Sequence, residues 1–267
     1  MFDSGVGGLT VLHECLVSLP EEDFIYLGDT AMFPYGTRDP DRLRERIGRI
    51  ADLLLDRGAK LLVIACNTAT SIGEDVAREV AGRRGVEVVP VVAPQAEIAA
   101  AITDSGRVGV LATPNTVESG AYRRALESQG RALEVTEVEA PDLAPFIQDG
   151  SPFDESVLAM ARSYCAPLRQ ADVDTLILGC THYPLVAPML QRILGRDVRL
   201  VSGGHAVAAA VQRTLESRGL ARARDGEGDY SFLCTGDVDS FCDLGTRFLQ
   251  MPLGDVGPVD VPGGHYP

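Results

Sequence analysis

Short apolar runs alternate with longer amphipathic segments along most of the sequence. This alternation is typical of repeated strand–helix units, in which each strand is followed by a helix. The predicted strands cover residues 24–27, 61–65, 86–92, 108–112, 133–138, 175–179, 198–201 and 230–234. The pattern therefore predicts an α/β fold.

Apolar residues also recur at helical spacing between the predicted strands, for example from Leu43 to Leu54. Asp39 can cap the start of that helix, and Gly58 follows its end. Residues 252–267 are rich in Pro and Gly, so we expect a loose tail there. The predicted helices cover the amphipathic segment after the glycine-rich residues 5–8, and residues 40–57, 115–129, 154–170, 185–194 and 204–218.

Length and charge limit the classes of function. The 267 residues suffice for one large or two modest domains. A net charge of −14 argues against nucleic acid or an anionic membrane surface as the main partner, and it means that an anionic substrate needs local hydrogen-bond donors. No apolar run approaches the ~20 residues needed to cross a bilayer, and no signal peptide is visible. We therefore expect a cytoplasmic protein.

The cysteine and lysine content argues against several kinds of cofactor site. The six cysteines are scattered and none forms a Cys-x-x-Cys pair, so neither a disulfide framework nor a structural zinc site is expected. The only lysine is Lys60, and a pyridoxal phosphate enzyme needs a lysine for its Schiff base. Lys60 stands at the amino end of the strand that leads to Cys66, roughly 20 Å from it. We expect no cofactor.

Two stretches of the chain resemble each other. Cys66 follows one apolar run and precedes Asn67 and Thr68, and Cys180 follows another and precedes a threonine and a histidine. Ligands of open α/β sheets bind at the carboxyl ends of strands, and both cysteines are predicted to lie there. Helix N-termini and a histidine readily change the pKa of a thiol. The repeat suggests two similar α/β halves facing each other across a cleft.

Polar residues beside the two cysteines are candidates for binding and proton transfer. Asn67, Thr68 and Thr181 are predicted to offer side-chain donors, and the helices that follow offer backbone N–H groups suited to carboxylates. His182 is interpreted as an acid/base partner of the Cys180 thiol. A Cys-x-His zinc pair is the alternative, but the spacing does not supply three ligands.

Three further motifs have both a structural and a functional interpretation. The glycine-rich start lacks a following Gly-Lys-Ser/Thr, so it is not a P-loop; its glycines let the backbone approach a small anion, which would leave Asp3 and Ser4 at the site. Tyr35 and Gly36 either stabilise a loop or close over the ligand. Thr116 either starts a helix or binds a carboxylate.

Together, the motifs at residues 2–9, 34–36, 65–69 and 179–185 resemble those of glutamate racemase, in the aspartate/glutamate racemase superfamily. The resemblance runs from residue 2 to about residue 250. Aspartate racemases share the Cys-Asn-Thr and Cys-Thr-His pair, but the Asp-Ser-Gly-Val-Gly-Gly start and the Cys-Thr-His-Tyr-Pro motif favour glutamate. An aspartate racemase, a non-catalytic relative, and a thiol hydrolase or zinc protein are the alternatives.

The resemblance implies two pseudosymmetric domains, each a mostly parallel sheet flanked by helices, with the active site in the cleft between them. The first domain would comprise residues 1–90 and 204–267, and the second residues 91–203. The implied activity is cofactor-independent interconversion of L- and D-glutamate, with D-glutamate supplied to peptidoglycan synthesis. The implied partners are the small-molecule substrate and a second copy of the chain in a homodimer.

The resemblance also implies roles for individual residues. Cys66 would be the base that acts on D-glutamate, assisted by Asp3, and Cys180 the base that acts on L-glutamate, assisted by His182. The residues implied to hold the substrate are Asp3, Ser4, Tyr35, Gly36, Asn67, Thr68, Thr116, Thr181 and His182.

Two departures from the family pattern affect these expectations. Members usually carry several residues before the Phe-Asp-Ser motif, so the strand that delivers Asp3 is expected to be missing here, with weak stability and reduced activity as the result. Gln148 stands where the family often has glutamate, which puts an acidic helper role in doubt unless Asp149 takes it over.

Overall fold

The protein, described here as a computed structural model for residues 1–150, 154–223 and 226–261, contains two parallel sheets. The predicted α/β fold class is confirmed. The strands are β1 Phe2–Asp3, β2 Phe24–Gly28, β3 Leu61–Ile64, β4 Glu87–Pro90, β5 Arg107–Ala112, β6 Glu134–Glu139, β7 Thr175–Gly179, β8 Arg199–Val201, β9 Tyr230–Cys234 and β10 Val256–Pro258.

Helices connect the strands and cover the sheets. They are α1 Leu9–Ser18, α2 Pro40–Asp56, α3 Asn67–Gly82, α4 Val92–Ile102, α5 Pro114–Glu118, α6 Ala121–Glu127, α7 Leu143–Asp149, α8 Glu155–Gln170, α9 Ala187–Leu194, α10 Gly203–Arg218 and α11 Val238–Leu249. Among the residues described, no helix is long and apolar enough to cross a membrane.

The two sheets differ in how the chain builds them. The first has the strand order β10-β9-β2-β1-β3-β4 and combines strands from both ends of the described chain. The second has the order β6-β5-β7-β8 and comes from the middle of the chain. Every strand pair in both sheets is parallel, so the carboxyl ends of neighbouring strands lie at one edge.

The strand that delivers Asp3 is present, so the expectation that it is missing is wrong. Phe2 and Asp3 pair with β2 on one side, and Phe2 pairs with β3 on the other. The N–H of Leu27 donates to the carbonyl of Met1, and the N–H of Ala65 donates to that of Phe2. The strand is only two residues long but internal: the ladder holds Phe2 on both sides and Asp3 on the side of β2.

Helix α2 shows how the sequence directs local structure. The Asp39 carboxylate accepts a hydrogen bond from the N–H of Arg42 at 3.0 Å, which satisfies one of the free donors at the helix start. Its apolar face from Leu43 to Leu54 is fully buried against α3 and the first sheet. Gly58 follows the helix with a φ of 84°, a left-handed conformation that favours glycine. The cap and the end predicted from the sequence are both confirmed.

Several elements differ from the prediction. The helix predicted over 115–129 is broken, because Gly120 takes a left-handed φ of 65° between α5 and α6. Helices α4, α7 and α11 were not predicted. Helix α4 is apolar along nearly its whole length and α7 is short, so neither shows a clean helical stripe. Helix α11 has such a stripe, with Phe241, Leu244 and Phe248 at helical spacing, and could have been predicted. The tail is not loose over its described part: β10 pairs with β9, and Val261 is buried. Residues 262–267 lie outside the described residues.

A buried ion pair ties α2 to the loop after β2. The guanidinium of Arg46 donates to both oxygens of Asp29, at 2.6 and 2.9 Å, and to the carbonyl of Val261 at 2.9 Å. The hydroxyls of Tyr35 and Thr235 also donate to Asp29, at 2.5 and 2.7 Å. Both charged side chains are almost fully buried, so each charge depends on the other and on these hydrogen bonds.

Replacing Arg46 with methionine should therefore lower the free energy of unfolding by about 3–5 kcal/mol, because it leaves a buried carboxylate without its cation. The matched control is Arg44→Met on the same helix, since Arg44 pairs with Asp75 at side-chain exposures of 38% and 70%. That exposed pair should contribute less than about 1 kcal/mol. Urea denaturation measures both values, and equal losses in the two variants would contradict this account.

Candidate active site

The two cysteines singled out in the sequence lie at the carboxyl ends of strands in the two sheets. Cys66 lies just beyond β3 and is the N-cap residue of α3. Cys180 follows β7 directly. Their exposed fractions are 4% and 8%, so both thiols are buried. The charge of a Cys66 thiolate raises the pKa of Cys180, so the two sulfurs lie close enough to interact electrostatically.

Cys66 lies beside a buried carboxylate. Its sulfur accepts a hydrogen bond from the N–H of Ala69 at 3.4 Å, and its thiol donates to Ser4 Oγ at 3.8 Å. Burial raises the pKa of Asp3 to about 6, and the neighbouring Cys66 thiol limits that rise. Burial and the charge of Asp3 raise the pKa of Cys66 to about 12. At neutral pH the thiol is therefore protonated, and an ionised carboxylate beside it can accept its proton.

Cys180 lies beside a neutral histidine. Cys180 Sγ and His182 Nδ1 are 3.8 Å apart, and His182 Nε2 is 3.0 Å from Gln148 Oε1. Because an amide oxygen only accepts, Nε2 carries the proton and Nδ1 presents its lone pair to the thiol. Burial lowers the pKa of His182 to about 3 and raises that of Cys180 well above its usual range. The imidazole is thus an unprotonated acceptor for the Cys180 proton.

The glycine-rich loop after β1 joins the two halves of the site. Asp3 Oδ1 accepts from the N–H of Gly5 at 2.9 Å, and Asp3 Oδ2 accepts from Thr181 Oγ1 at 3.1 Å. A Cβ at Gly7 would lie 2.3 Å from Thr181 Oγ1 and 2.5 Å from His182 Nδ1. Any side chain at position 7 would therefore collide with the Cys180 half. The glycine permits this approach to Thr181 and His182. The approach of the loop to a small anion stays a prediction.

A cluster of threonine hydroxyls lies between the sheets near Cys66. Thr68 Oγ1 is 2.9 Å from Thr113 Oγ1 and 3.3 Å from Thr116 Oγ1, and Thr113 Oγ1 is 3.0 Å from Thr116 Oγ1. All three residues are buried. Thr113 was not among the predicted site residues, although its place just after β5 could have indicated it. The three hydroxyls form a compact group of donors suited to a carboxylate.

Tyr35 and Gly36 line the wall of the site, but the tyrosine hydroxyl is not turned toward a ligand. It donates to Asp29, as described above. The amide of Asn115 donates to the carbonyls of Tyr35 and Arg38, each at 2.8 Å, and so fastens this loop to α5. A Cβ at Gly36 would lie 2.6 Å from Thr113 Cβ. The loop can therefore contact a ligand through its backbone groups and can limit the size of the site, but its tyrosine hydroxyl is already used.

The Asn67 amide hydrogens, predicted as donors to a ligand, are used within the protein. Asn67 Nδ2 donates to Gln95 Oε1 at 2.9 Å and to the hydroxyl of Tyr122 at 2.6 Å. This leaves Oδ1 as the part of the amide that a ligand can engage. Neither Gln95 nor Tyr122 was singled out in the sequence, because each lies within a helix and carries no motif.

The described residues show no metal site, and the only lysine lies away from the two cysteines. Among the residues that the structure describes, no group of three His, Cys, Asp or Glu side chains could hold a metal ion. Lys60 precedes β3, at the end of the strand away from Cys66, and its ammonium donates to Glu22 Oε2 and the carbonyl of Leu220. Two buried thiols, each beside a proton acceptor, suit the removal of a proton from one face of a carbon and its return to the other.

Several known proteins are similar to this chain in fold and in sequence. Residues 11–211 match the sequence model of the Asp/Glu/Hydantoin racemase family. The chain is 40% identical over 261 residues to the glutamate racemase of Geobacter metallireducens, which covers 98% of this chain and 96% of that protein. The crystal structure of a glutamate racemase isoform from Bacillus anthracis superposes with a TM-score of 0.93 at 33% identity, covering 98% of this chain and 96% of that chain.

A second solved structure bears on the ligand of these relatives. The glutamate racemase of Francisella tularensis, crystallised in complex with D-glutamate, superposes with a TM-score of 0.91 at 30% identity. The superposition covers 98% of this chain and 96% of that chain.

The neutral partner of His182 gives a direct test of the site's electrostatics. In Gln148→Glu, a carboxylate should accept from Nε2 and stabilise the imidazolium, raising the pKa of His182 by about 1–3 units. An NMR pH titration of the labelled imidazole measures this pKa. Gln191→Glu, a change of the same chemistry on α9, should leave it unchanged. An unaltered His182 pKa in Gln148→Glu would show that the two side chains are not in contact.

Proposed function

The chain belongs to the glutamate racemases of the Asp/Glu/Hydantoin racemase family, and from this we propose that it interconverts L- and D-glutamate by proton transfer at Cα between Cys66 and Cys180. The observation that carries the proposal is the pair of buried thiols at matching strand ends of the two sheets, each beside a group able to accept its proton. The reaction needs no added cofactor.

Proton transfer begins with the activation of one thiol. On the Cys66 side, the proton moves to the Asp3 carboxylate, and the thiolate removes the α-proton of D-glutamate. The Cys180 thiol then donates its proton to the opposite face of Cα, which gives L-glutamate and leaves a thiolate at Cys180. In the other direction His182 accepts the Cys180 proton, and the two cysteines exchange roles. After the D-to-L reaction Cys66 is a thiol, Cys180 is a thiolate and Asp3 is protonated. Loss of the Asp3 proton to solvent and uptake of one proton by Cys180 restore the resting state.

Uncharged hydrogen-bond donors hold the two carboxylates of the substrate in this proposal. The hydroxyls of Thr68, Thr113 and Thr116 and the N-terminus of α3 suit its carboxylates. Asp3 and Ser4 suit its ammonium group. When the α-proton leaves, negative charge develops on the α-carboxylate, and donors already aimed at its oxygens stabilise that charge without reorganising. Thr181 and the backbone at Tyr35 and Gly36 complete the enclosure.

The organisation of the chain follows from the same proposal. One domain comprises residues 1–90 and 204–267 and the other residues 91–203, and the substrate lies in the cleft between them. Cleft binding supplies one base from each domain and one face of Cα to each base. We further propose that the protein is cytoplasmic, forms a homodimer and supplies D-glutamate for bacterial peptidoglycan.

Deuterium exchange provides the test of the reaction. In D₂O, both L- and D-glutamate should lose the α-proton and yield the other isomer, whereas Cys66→Ser and Cys180→Ser should lower racemisation by at least about 1,000-fold, because a hydroxyl is a far weaker acid than a thiol. Cys242→Ser is the matched control, since Cys242 lies on α11, is only partly buried and has no role in the proposed mechanism. Normal racemisation in either active-site variant would exclude the two-thiol mechanism.

The pKa of Asp3 predicts the pH dependence. Asp3 must be ionised to accept the Cys66 proton, so kcat/KM should fall about tenfold per pH unit below pH 6. Mirror symmetry makes the equilibrium constant of the reaction unity. The two values of kcat/KM are then equal at every pH, and the decline must occur from both isomers.

Steady-state assays between about pH 4.5 and about pH 8, on both sides of the Asp3 pKa, measure how kcat/KM depends on pH. Asp3→Asn should lower kcat/KM and abolish the decline near pH 6. A decline of the same midpoint in Asp3→Asn would assign the ionisation to another group.

A further inference from the structure

A buried glutamine connects the two halves of the site without facing the reacting carbon. Gln95 lies on α4 and is fully buried. Its side chain reaches residues adjacent to both cysteines: Asn67 follows Cys66 directly, and Leu178 lies two positions before Cys180. The site described above uses neither the amide of Gln95 nor the hydroxyl of its neighbour Tyr122.

The oxygen of Gln95 binds the Cys66 half. Gln95 Oε1 accepts from Asn67 Nδ2 at 2.9 Å and from the hydroxyl of Tyr122 at 2.5 Å. Asn67 Nδ2 also donates to the oxygen of Tyr122 at 2.6 Å, so the three side chains form a closed ring of hydrogen bonds. The ring occupies both amide hydrogens of Asn67 and sets the direction in which its Oδ1 points.

The nitrogen of Gln95 binds the Cys180 half. Gln95 Nε2 donates to the carbonyl of Leu178 at 3.2 Å and to that of Val201 at 3.4 Å. The last paired residues of β7 and β8 are Ile177 and Val201, so these carbonyls lie where the ladder ends. A single side chain therefore satisfies two backbone acceptors at the strand end that delivers Cys180.

These bonds use the full capacity of the Gln95 amide, two donors and two acceptor positions, inside the protein. A buried amide that loses partners is costly, and a fully bonded network has one arrangement rather than several. Methionine has a similar length and would fill the same space with no polar atom. The polar amide of Gln95 thus does more than fill space: it orients the side chains to which it is hydrogen-bonded.

We propose that Gln95 is a positioning residue that holds the Asn67 amide in one orientation and links it to the strand end carrying Cys180. This role rests on the proposed racemase function. Gln95 acts on the substrate through Asn67, and its hydrogen bonds to the carbonyls of Leu178 and Val201 fix the position from which it holds the Asn67 amide. A displacement of about 1 Å at a reacting group can cost 100-fold in rate, so the link matters to turnover.

A double-mutant cycle tests this role. Gln95→Met should lower kcat/KM for glutamate by about 10- to 100-fold, as should Asn67→Ala. Since Gln95 acts through Asn67, the double variant should lose at most about threefold more than Asn67→Ala alone. Losses that multiply in the double variant would overturn the proposal, because Gln95 would then act independently of Asn67.

A matched control separates positioning from general destabilisation. Gln191 on α9 also donates through Nε2 to two backbone carbonyls, those of Gly195 and Val198, which lie in the turn between α9 and β8. Gln191→Met should leave kcat/KM unchanged. A loss in this variant similar to that in Gln95→Met would assign the effect to the fold and would overturn the proposal.

Two further variants, Gln95→Glu and Tyr122→Phe, allow the proposal to be tested even if Gln95→Met does not fold. Gln95→Glu, neutral when buried, keeps the acceptor for Asn67 and should recover at least tenfold of the activity lost in Gln95→Met. If Gln95→Met does not fold, Tyr122→Phe opens the same ring and replaces it in the cycle. Wild-type exchange in D₂O is measured alongside. An inactive wild type overturns both proposals, whereas an active wild type with multiplicative losses overturns only the role of Gln95.

Discussion

Loss of hydration shifts each titratable group around the two thiols away from its charged form. It is the largest cause of the raised pKa of Asp3 and of both cysteines, and of the lowered pKa of His182. A thiolate formed in such a place is a stronger base than one in water. The same burial makes it difficult to form, so each thiol needs an acceptor in contact with it. The pairing of Cys66 with Asp3 and of Cys180 with His182 follows from this requirement.

Burial of the thiols also explains why uncharged groups are suited to bind the substrate carboxylates. A lysine or arginine beside a buried thiol would lower its pKa and weaken it as a base. Threonine hydroxyls, backbone N–H groups and an asparagine oxygen recognise a small charged ligand without that effect. The guanidinium of Arg46 is buried too, but Asp29 engages it and the loop of Tyr35 packs around the pair. The positive charge of Arg46 is thus neutralised by Asp29 within the wall of the cleft.

Much of the fold and part of the site could be predicted from the sequence. The strands before Cys66 and Cys180 are wholly apolar and short, so their ends, and the cysteines at them, could be identified. Thr113, which directly follows β5, could have been identified in the same way. Gln95 could not, because its role depends on contacts between segments far apart in the chain. The two-residue β1 also escaped prediction. A strand that short has no periodicity, and only its ladder with two neighbours defines it.

The strand order of the first sheet has a consequence for the newly made chain. Strand β2 pairs with β9, so one edge of β2 stays open until the residues of β9 have been synthesised. The second sheet uses only residues between β5 and β8 and can close earlier during translation. An open edge of a parallel sheet invites pairing with other chains. During synthesis, the second sheet can therefore be complete while the first sheet still lacks β9. We expect chaperones to bind the unpaired edge of β2 at that stage.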